Sequence, residues 1–449
     1  MKNIILTILL ILISIPSANA KRIYVKNDAT GSANGTSWND AYLNLRTALQ
    51  SSLLGDEIWV AKGVYKPTSS VDRKISFDIP AGVRLIGGFE GHEDHNFDIS
   101  LRIIRENETT LSGEIGNLLS TEDNSYHVLT TFSSYDQTII DGFTIRDGKG
   151  IIGSGYNNGI PNSYGAGCYN YGRGAGNISN PQFINCYFTN NHSFQGGAVF
   201  NDAQYGGVAS PTFINCVFHK NYASYGAGIC SHATSGRSSP SFEFCTFSEN
   251  SANVHGGGLY LASGSNSRST FLISNSLFNE NYANLEGDDI FNLSGVIDLK
   301  YVGFDAPDNS DLNFNGTLLS IHTYFNSNFI FVNPNNGDFN LQCNSDGISQ
   351  GTYSSVSQDI AGRTRFGLPD LGAYDYDSQY NYYLNNEIIA ESDINLMGTD
   401  FIEISSKISN SNITYLKGQR AIFLNPGFLI APQPDSTSVF RAEIVNGCL

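Results

Sequence analysis

Pro181-Gln-Phe-Ile-Asn-Cys-Tyr-Phe-Thr-Asn-Asn191, followed by Gly196-Gly-Ala-Val199, returns as Pro211-Thr-Phe-Ile-Asn-Cys-Val-Phe-His-Lys-Asn221 with Gly226-Ala-Gly-Ile229. It returns again as Pro240-Ser-Phe-Glu-Phe-Cys-Thr-Phe-Ser-Glu-Asn250 with Gly256-Gly-Gly-Leu259, and as Phe271-Leu-Ile-Ser-Asn-Ser-Leu-Phe-Asn-Glu-Asn281 with Gly287-Asp-Asp-Ile290. The last asparagines, at 191, 221, 250 and 281, recur every 29 to 31 residues. A degenerate earlier copy runs from Thr138-Ile-Ile-Asp-Gly-Phe-Thr-Ile145 to Gly165-Ala-Gly-Cys168. Each unit carries two short apolar runs, bounded by Gly, Asn and Pro, which are too short for helices and read as strands. Neither run can bury itself, so a unit is stable only when stacked on its neighbours. The spacing therefore predicts an all-β, right-handed parallel β-helix, a solenoid whose coils lie in register.

Register places like side chains above one another, with strands ~4.8 Å apart. Phe188, Phe218, Phe247 and Phe278 should form an aromatic ladder, and Asn191, Asn221, Asn250 and Asn281 should stack at a bend in αL geometry, bonding along the axis. Phe183 and Phe188 are five residues apart, an odd spacing, so both face inward only if a bulge near Asn185 breaks the strand. That leaves the direction of Cys186 open. Cys186, Cys216 and Cys245 occupy matching positions, followed by Ser276, and read as a buried stack of small side chains, since three thiols cannot all pair. Seven cysteines is an odd number; Cys343 and Cys448 could pair if the end of the chain folds back. There is no Cys-x-x-Cys, and the eight histidines are scattered, so no zinc or other metal site is expected.

Outward from the repeats, Met1 to Ala20 has Lys2, the apolar run 4–15 and Ser17-Ala18-Asn19-Ala20, the form of a signal peptide cut near Ala20. No later stretch is long and apolar enough to be a transmembrane segment. The expected location is secreted or on the outer cell surface. A formal net charge of −17 argues against nucleic acid as a partner. With 46 glycines and 40% hydrophobic residues, the composition suits a turn-rich β fold rather than disorder. The expected division is a signal peptide at 1–20, an N-terminal cap and first coils at 21–115, the β-helix at 116–375 and a small C-terminal β module at 376–449. In the cap, Leu45, Ala48 and Leu49 would lie on one face of a short helix covering the open end. A monomer is the expected state.

Phe188-Thr-Asn-Asn191 with Gly196-Gly-Ala-Val199, and its successors, resembles the repeats of the chlamydial polymorphic outer-membrane proteins, which are β-helical adhesins. The resemblance covers residues 138–290 and is shared by many pectin-lyase-like β-helices; no autotransporter barrel follows. Ile23-Tyr-Val-Lys to Trp38-Asn-Asp-Ala-Tyr42, with Asp56-Glu-Ile-Trp-Val-Ala-Lys-Gly-Val-Tyr65, is similar to the start of secreted β-helix proteins. Phe331-Val-Asn-Pro334, Gly337-Asp-Phe-Asn-Leu341 and Asp359-Ile-Ala-Gly-Arg363 to Asp370-Leu-Gly-Ala-Tyr374 resemble the closing coils of the choice-of-anchor β-helix family, with Asp375 where that family carries Glu. Phe401-Ile-Glu-Ile404, Ala421-Ile-Phe-Leu-Asn-Pro-Gly-Phe428 and Val439-Phe-Arg-Ala-Glu-Ile444 resemble a three-coil ending of exported Bacteroidota proteins.

Enzymes of the pectin-lyase-like kind use stacked carboxylates, often holding calcium, with an Arg or Lys base. The close-set aspartates with Gly-His-Gly and Arg-Ile-Lys of polygalacturonases are absent. Asp288-Asp289 and Asp305, Asp308 and Asp311 are the densest carboxylates, read as solvated turns, with incidental calcium binding as the alternative. No catalytic residues are assigned. The loops 169–180, 201–210, 231–239 and 262–269 all follow the same strand and should form a wall on one side. They supply Tyr171, Arg173, Tyr205, His232, Arg237 and Arg268, a set suited to sugar stacking and hydrogen bonding, with Arg237 and Arg268 at one level. The reading is a non-catalytic surface or secreted binding protein, adhesive or glycan-engaging, with a polysaccharide or cell-surface glycan as partner. The alternatives are a polysaccharide lyase or glycoside hydrolase, and a structural envelope component.

Overall fold

The computed structural model describes residues 20–376 apart from 135–136, 154, 265–266, 268, 307–311, 343 and 366, and, beyond 376, the backbone of eight strands. Residues 1–19, where a signal peptide is expected, and Cys343 and Cys448 thus lie outside the described residues. Three columns of parallel strands wind around one apolar interior. The first runs from Arg22–Val25 through Glu57–Ala61, Arg84–Phe89 and Ile139–Asp141 to Gln182–Ile184, Thr212–Ile214 and Ser241–Glu243. The second runs from Gly63–Tyr65 through Thr109–Ser112 and Phe143–Arg146 to Tyr187–Thr189, Val217–His219 and Thr246–Ser248. Single long strands, Thr270–Asn279, Val296–Phe304 and Thr317–Tyr324, then serve both columns. The third column is an eight-stranded sheet from Phe77–Ile79 to Leu312–Phe314. Parallel crossovers of this kind take the right-handed sense. The molecule is a right-handed parallel β-helix, as the thirty-residue period requires.

The helix Leu45–Ser51 closes the first coil. Its N-cap Asn44 accepts a hydrogen bond from the Arg46 amide at 2.8 Å, and Leu45, Ala48 and Leu49 are its buried face. In the interior, Phe188, Phe218, Phe247, Phe278, Phe304 and Phe325 stack ring on ring with centroids 4.6–5.4 Å apart. Phe183, Phe213 and Phe242 form a second stack at 5.1 and 5.2 Å. Burying one phenylalanine contributes about 1.5–3 kcal/mol, so the interior ladders are the main source of cohesion between coils.

Both phenylalanines of a unit face inward because the chain turns a corner between them. Asn185, Asn215, Phe244 and Asn275 all adopt φ near +50°. The expected bulge is thus a one-residue αL corner, and it turns Cys186, Cys216 and Cys245 into the core as free, buried thiols. The asparagine ladder is present: Asn191 Nδ2 donates to Asn221 Oδ1 at 3.1 Å, Asn221 to Asn250 at 3.0 Å, and Asn250 to Asn281 at 2.9 Å. Each also donates to the carbonyl of a residue on the coil below. The αL residue at this corner is the preceding one, Asn190, Lys220, Glu249 or Glu280, not the stacked asparagine. Asp289, expected in a solvated turn, is 1% exposed and accepts from Asn281 Nδ2 at 2.9 Å, so it terminates the ladder. Asp288 accepts from the Ala283 amide and Asp305 from the Glu280 amide, both at 2.7 Å; Asp308 and Asp311 lie outside the described residues.

Residues 325–376 are not closing coils. They leave the last coil and run back along the outside of the second column, burying Phe329, Phe331, Phe339, Leu341, Ile360, Leu371 and Tyr374 against Tyr187, Val217 and Leu277. Within this strap, Phe331–Asn333 and Asp338–Leu341 pair antiparallel. Arg365 fixes the strap: its guanidinium meets Asp375 at 3.3 Å and Asn215 Oδ1 at 3.1 Å, and lies 3.9 Å from the centroid of Phe244. Beyond it, Tyr382–Leu384, Phe401–Ile404 and Ala421–Leu424 pair in parallel, as do Asp393–Gly398, Asn412–Gly418 and Ala442–Ile444. The described terminal strands thus form two parallel three-stranded sheets and, with Lys407–Ser409 beside Leu429–Ala431, one parallel pair. Among the described residues, no helix is long and apolar enough to cross a membrane.

Candidate functional site

Alternation along the third column sends Cys168 and Asn170 inward and Tyr169 and Tyr171 outward. Register aligns Tyr171 with Asp202 and Asp202 with His232, so one outward row carries an aromatic ring, a carboxylate and an imidazole. The next row in, Tyr169, Phe200, Cys230 and Tyr260, is a continuous apolar floor, closed at one end by Ile160 of the hairpin at 156–161.

Asp202 organises this face. It is fully buried, and its carboxylate takes three donors: the Tyr169 hydroxyl, the Gln204 amide at 3.1 Å and Arg173 Nη1 at 3.4 Å. Arg173 in turn lies over Tyr205, with 4.5 Å between guanidinium carbon and ring centroid. Burial opposes the charge on Arg173, but Asp202 and the neighbouring phenols outweigh it and hold the guanidinium above its ordinary value. Burial, with Asp202 adding to it, pushes the Tyr169 hydroxyl well above the usual phenol range, so it stays a proton donor. His232 is pushed below the usual imidazole value by burial and is neutral at pH 7. Gln204 Nε2 can only donate, so His232 Nδ1, at 3.2 Å, accepts and the ring proton sits on Nε2. Tyr171 packs beside Phe132 at 5.4 Å and Tyr169 at 6.3 Å.

Four of the six expected residues, Tyr171, Arg173, Tyr205 and His232, thus gather around Asp202. Arg237 does not join them: it is exposed, its Nε donates to Ser239 of its own loop at 3.2 Å, and its backbone extends the loop ladder above Val208. Arg268 lies outside the described residues, so the pairing of Arg237 with Arg268 has no structural counterpart here. Asp202 was missed, although it occupies the same repeat position as Tyr171 and His232. The loops themselves do stack into a wall, Ile178–Ser179 pairing with Val208–Ala209.

Chemically, the face offers a 61% exposed tyrosine ring, a rigid guanidinium and an imidazole N–H. Asp202 has its lone pairs committed to three donors and is poorly placed to abstract a proton. Among the described residues, no three of His, Cys, Asp and Glu converge as a metal-holding group.

No family model matches the chain, and no curated protein matches it. The resemblances in the repeats and in the strap are thus resemblances of motif. Among solved structures, the crystal structure of pectate lyase Pel9A is similar at 13% identity, over 80% of this chain and 96% of that one, with a TM-score of 0.38. The fold assignment stands on the strand pairing itself.

Proposed function

We propose that this chain is an exported, non-catalytic β-helix protein that engages carbohydrate through the outer face of its third column. The observation that carries the reading is the Asp202–Arg173–Tyr205 arrangement: a buried carboxylate fixes a guanidinium, which fixes a solvent-facing ring. A pre-ordered aromatic ring with donors at its edge suits the apolar face and hydroxyls of a sugar, with little entropy left to lose on binding. The leader-like first twenty residues support export to the medium or the outer surface. N-terminal sequencing of the secreted protein should then begin at Lys21.

The test is retention on a panel of immobilised plant, algal and host polysaccharides, with product release scored in the same wells. Retention should fall roughly five- to tenfold for Tyr205→Ala, equivalent to about 1–1.4 kcal/mol. Release of unsaturated or reducing products would instead make the chain a lyase or hydrolase. Absence of retention on any glycan would leave the envelope-component reading.

A further inference from the structure

A cleft of about 210 Å³ opens on a different corner of the coil, where the second column turns towards the third. Its wall includes Asn124, Lys149, Asn190, His192, Lys220 and Tyr222. Lys149, His192 and Tyr222 are successive rungs of one outward ladder. We propose that this cleft binds a small carboxylate flanked by a hydroxyl, either a free hydroxy acid or the acidic end of a sugar. The inference is independent of the aromatic face described above.

Lys149 is the anchor. Its side chain is only 15% exposed, and its ammonium lies 3.0 Å from His192 Nδ1. An ammonium has no lone pair, so His192 must accept, and its remaining proton sits on Nε2. Burial, helped by the Lys149 charge, pushes His192 down to about 4, so the ring is neutral at pH 7 and cannot release Lys149 by protonation. The Nε2–H has no protein acceptor among the described residues. The cleft thus holds two directed donors, one charged and one neutral, beside a Tyr222 ring whose centroid is 4.4 Å from that of the imidazole.

Asn124 supplies the complementary group. It is 1% exposed, and its Nδ2 donates to the Asp147 carbonyl at 2.7 Å, which fixes the amide, yet its Oδ1 is buried without a donor. Leaving an acceptor in that state costs about 1–3 kcal/mol. A ligand hydroxyl would relieve it. Donors for a carboxylate and an acceptor for a hydroxyl on one cleft wall define the ligand class.

Two carboxylates of the protein bear on the site. Glu249 holds Lys220 at 3.4 Å, and Asn335 accepts from the same ammonium at 2.6 Å, so Lys220 is already engaged. Glu122, with a side chain 69% exposed, sits 3.6 Å from Lys149 and occupies the place that a ligand carboxylate would take. It is the group that an arriving anion displaces.

Calorimetry or ligand-observed NMR on the full chain tests this with D-glycerate and D-glucuronate as probes, and propionate and glycerol as controls. Either probe should bind at least tenfold more tightly than both controls; which one does so separates a free hydroxy acid from a sugar acid. Lys149→Met should weaken binding about tenfold or more, the loss expected for one charge-assisted hydrogen bond. Glu122→Gln should tighten it severalfold, a gain that misfolding cannot produce, and Tyr205→Ala should leave it unchanged. Propionate binding as tightly as both probes, or Glu122→Gln weakening the probes, would overturn the proposal.

Discussion

The repeat coils at 181–304 and the strap at 325–376 are both well buried, but they are held in opposite ways. In the coils the interior ladders repeat one contact from copy to copy: Phe on Phe, Asn on Asn, one αL corner above another. The strap's contacts with the coils are instead each made once, between residues far apart in sequence, as with Arg365 and Asn215. Self-similar packing distributes cohesion over many equivalent rungs, whereas the strap is held by one apolar patch on the second column and a buried polar clasp at Arg365. Damage should therefore spread along the coils and stay local in the strap.

The largest expected effect breaks the first half of that contrast. Phe218→Ala removes a ring stacked on both sides and should cost about 3–5 kcal/mol, lowering the urea midpoint of the solenoid. Arg365→Met tests the other half. It leaves Asp375 without its buried guanidinium partner, while Asp359 keeps Arg363, at a cost of about 3 kcal/mol confined to the strap. Limited proteolysis should then cut within 345–376 while the solenoid midpoint holds; a fall in that midpoint matching that of Phe218→Ala would erase the distinction.

Acid should separate the regions by sign. His127, buried beneath the third column with Nδ1–H donating to the Gly165 carbonyl, is pushed by burial from 6.5 to about 4. A depressed imidazole value means that its contribution is present above about pH 6.5 and is lost as pH falls through about 4, up to about 3 kcal/mol. His127→Gln should flatten the acid limb of the coil's stability profile. Asp375 in the strap is displaced the other way, its carboxyl pushed above the ordinary range by burial, with Arg365 opposing. Its contribution grows as pH falls, so hydrogen exchange should show strap amides keeping relative protection in the window where coil amides lose it. The smallest effect is on the surface: Tyr205→Ala and Arg237→Ala should each change stability by under about 0.5 kcal/mol, and only the first should change glycan retention.

The contrast also explains what could be read in advance. A contact between copies is written in the chain once per coil, so the phenylalanine and asparagine ladders, the inward cysteines and the winding itself follow from the period. The αL position beside the asparagines did not, because Asn190, Lys220, Glu249 and Glu280 share no local preference; the corner imposes the geometry on whichever residue falls there. The strap was mistaken for further coils because its short apolar runs look like rungs and its polar partners lie far off in the chain, 77 residues for Thr352 and Asn275 and 150 for Arg365 and Asn215. On the outer face, the structure brings together Tyr171, Arg173, Tyr205 and His232 of the expected set, but not Arg237. Asp202 was not singled out, although alignment puts it between Tyr171 and His232. His192 carried a similar signal, since like Tyr222 and Tyr282 it follows a stacked asparagine; Lys149 is its partner in register, although Gly148 precedes it.

The in-register stacking on which all of this rests can be measured through the exposed ladder Tyr222, Ser251 and Tyr282, whose members are successive backbone partners. Cysteines are placed pairwise at these positions and treated with dibromobimane, a short bifunctional reagent that fluoresces on bridging two thiols. Rungs ~4.8 Å apart should be bridged, and rungs at twice that spacing should not. The account predicts signal for Tyr222→Cys with Ser251→Cys and for Ser251→Cys with Tyr282→Cys, and none for Tyr222→Cys with Tyr282→Cys. Bridging of the outer pair, or its absence in both adjacent pairs, would contradict it.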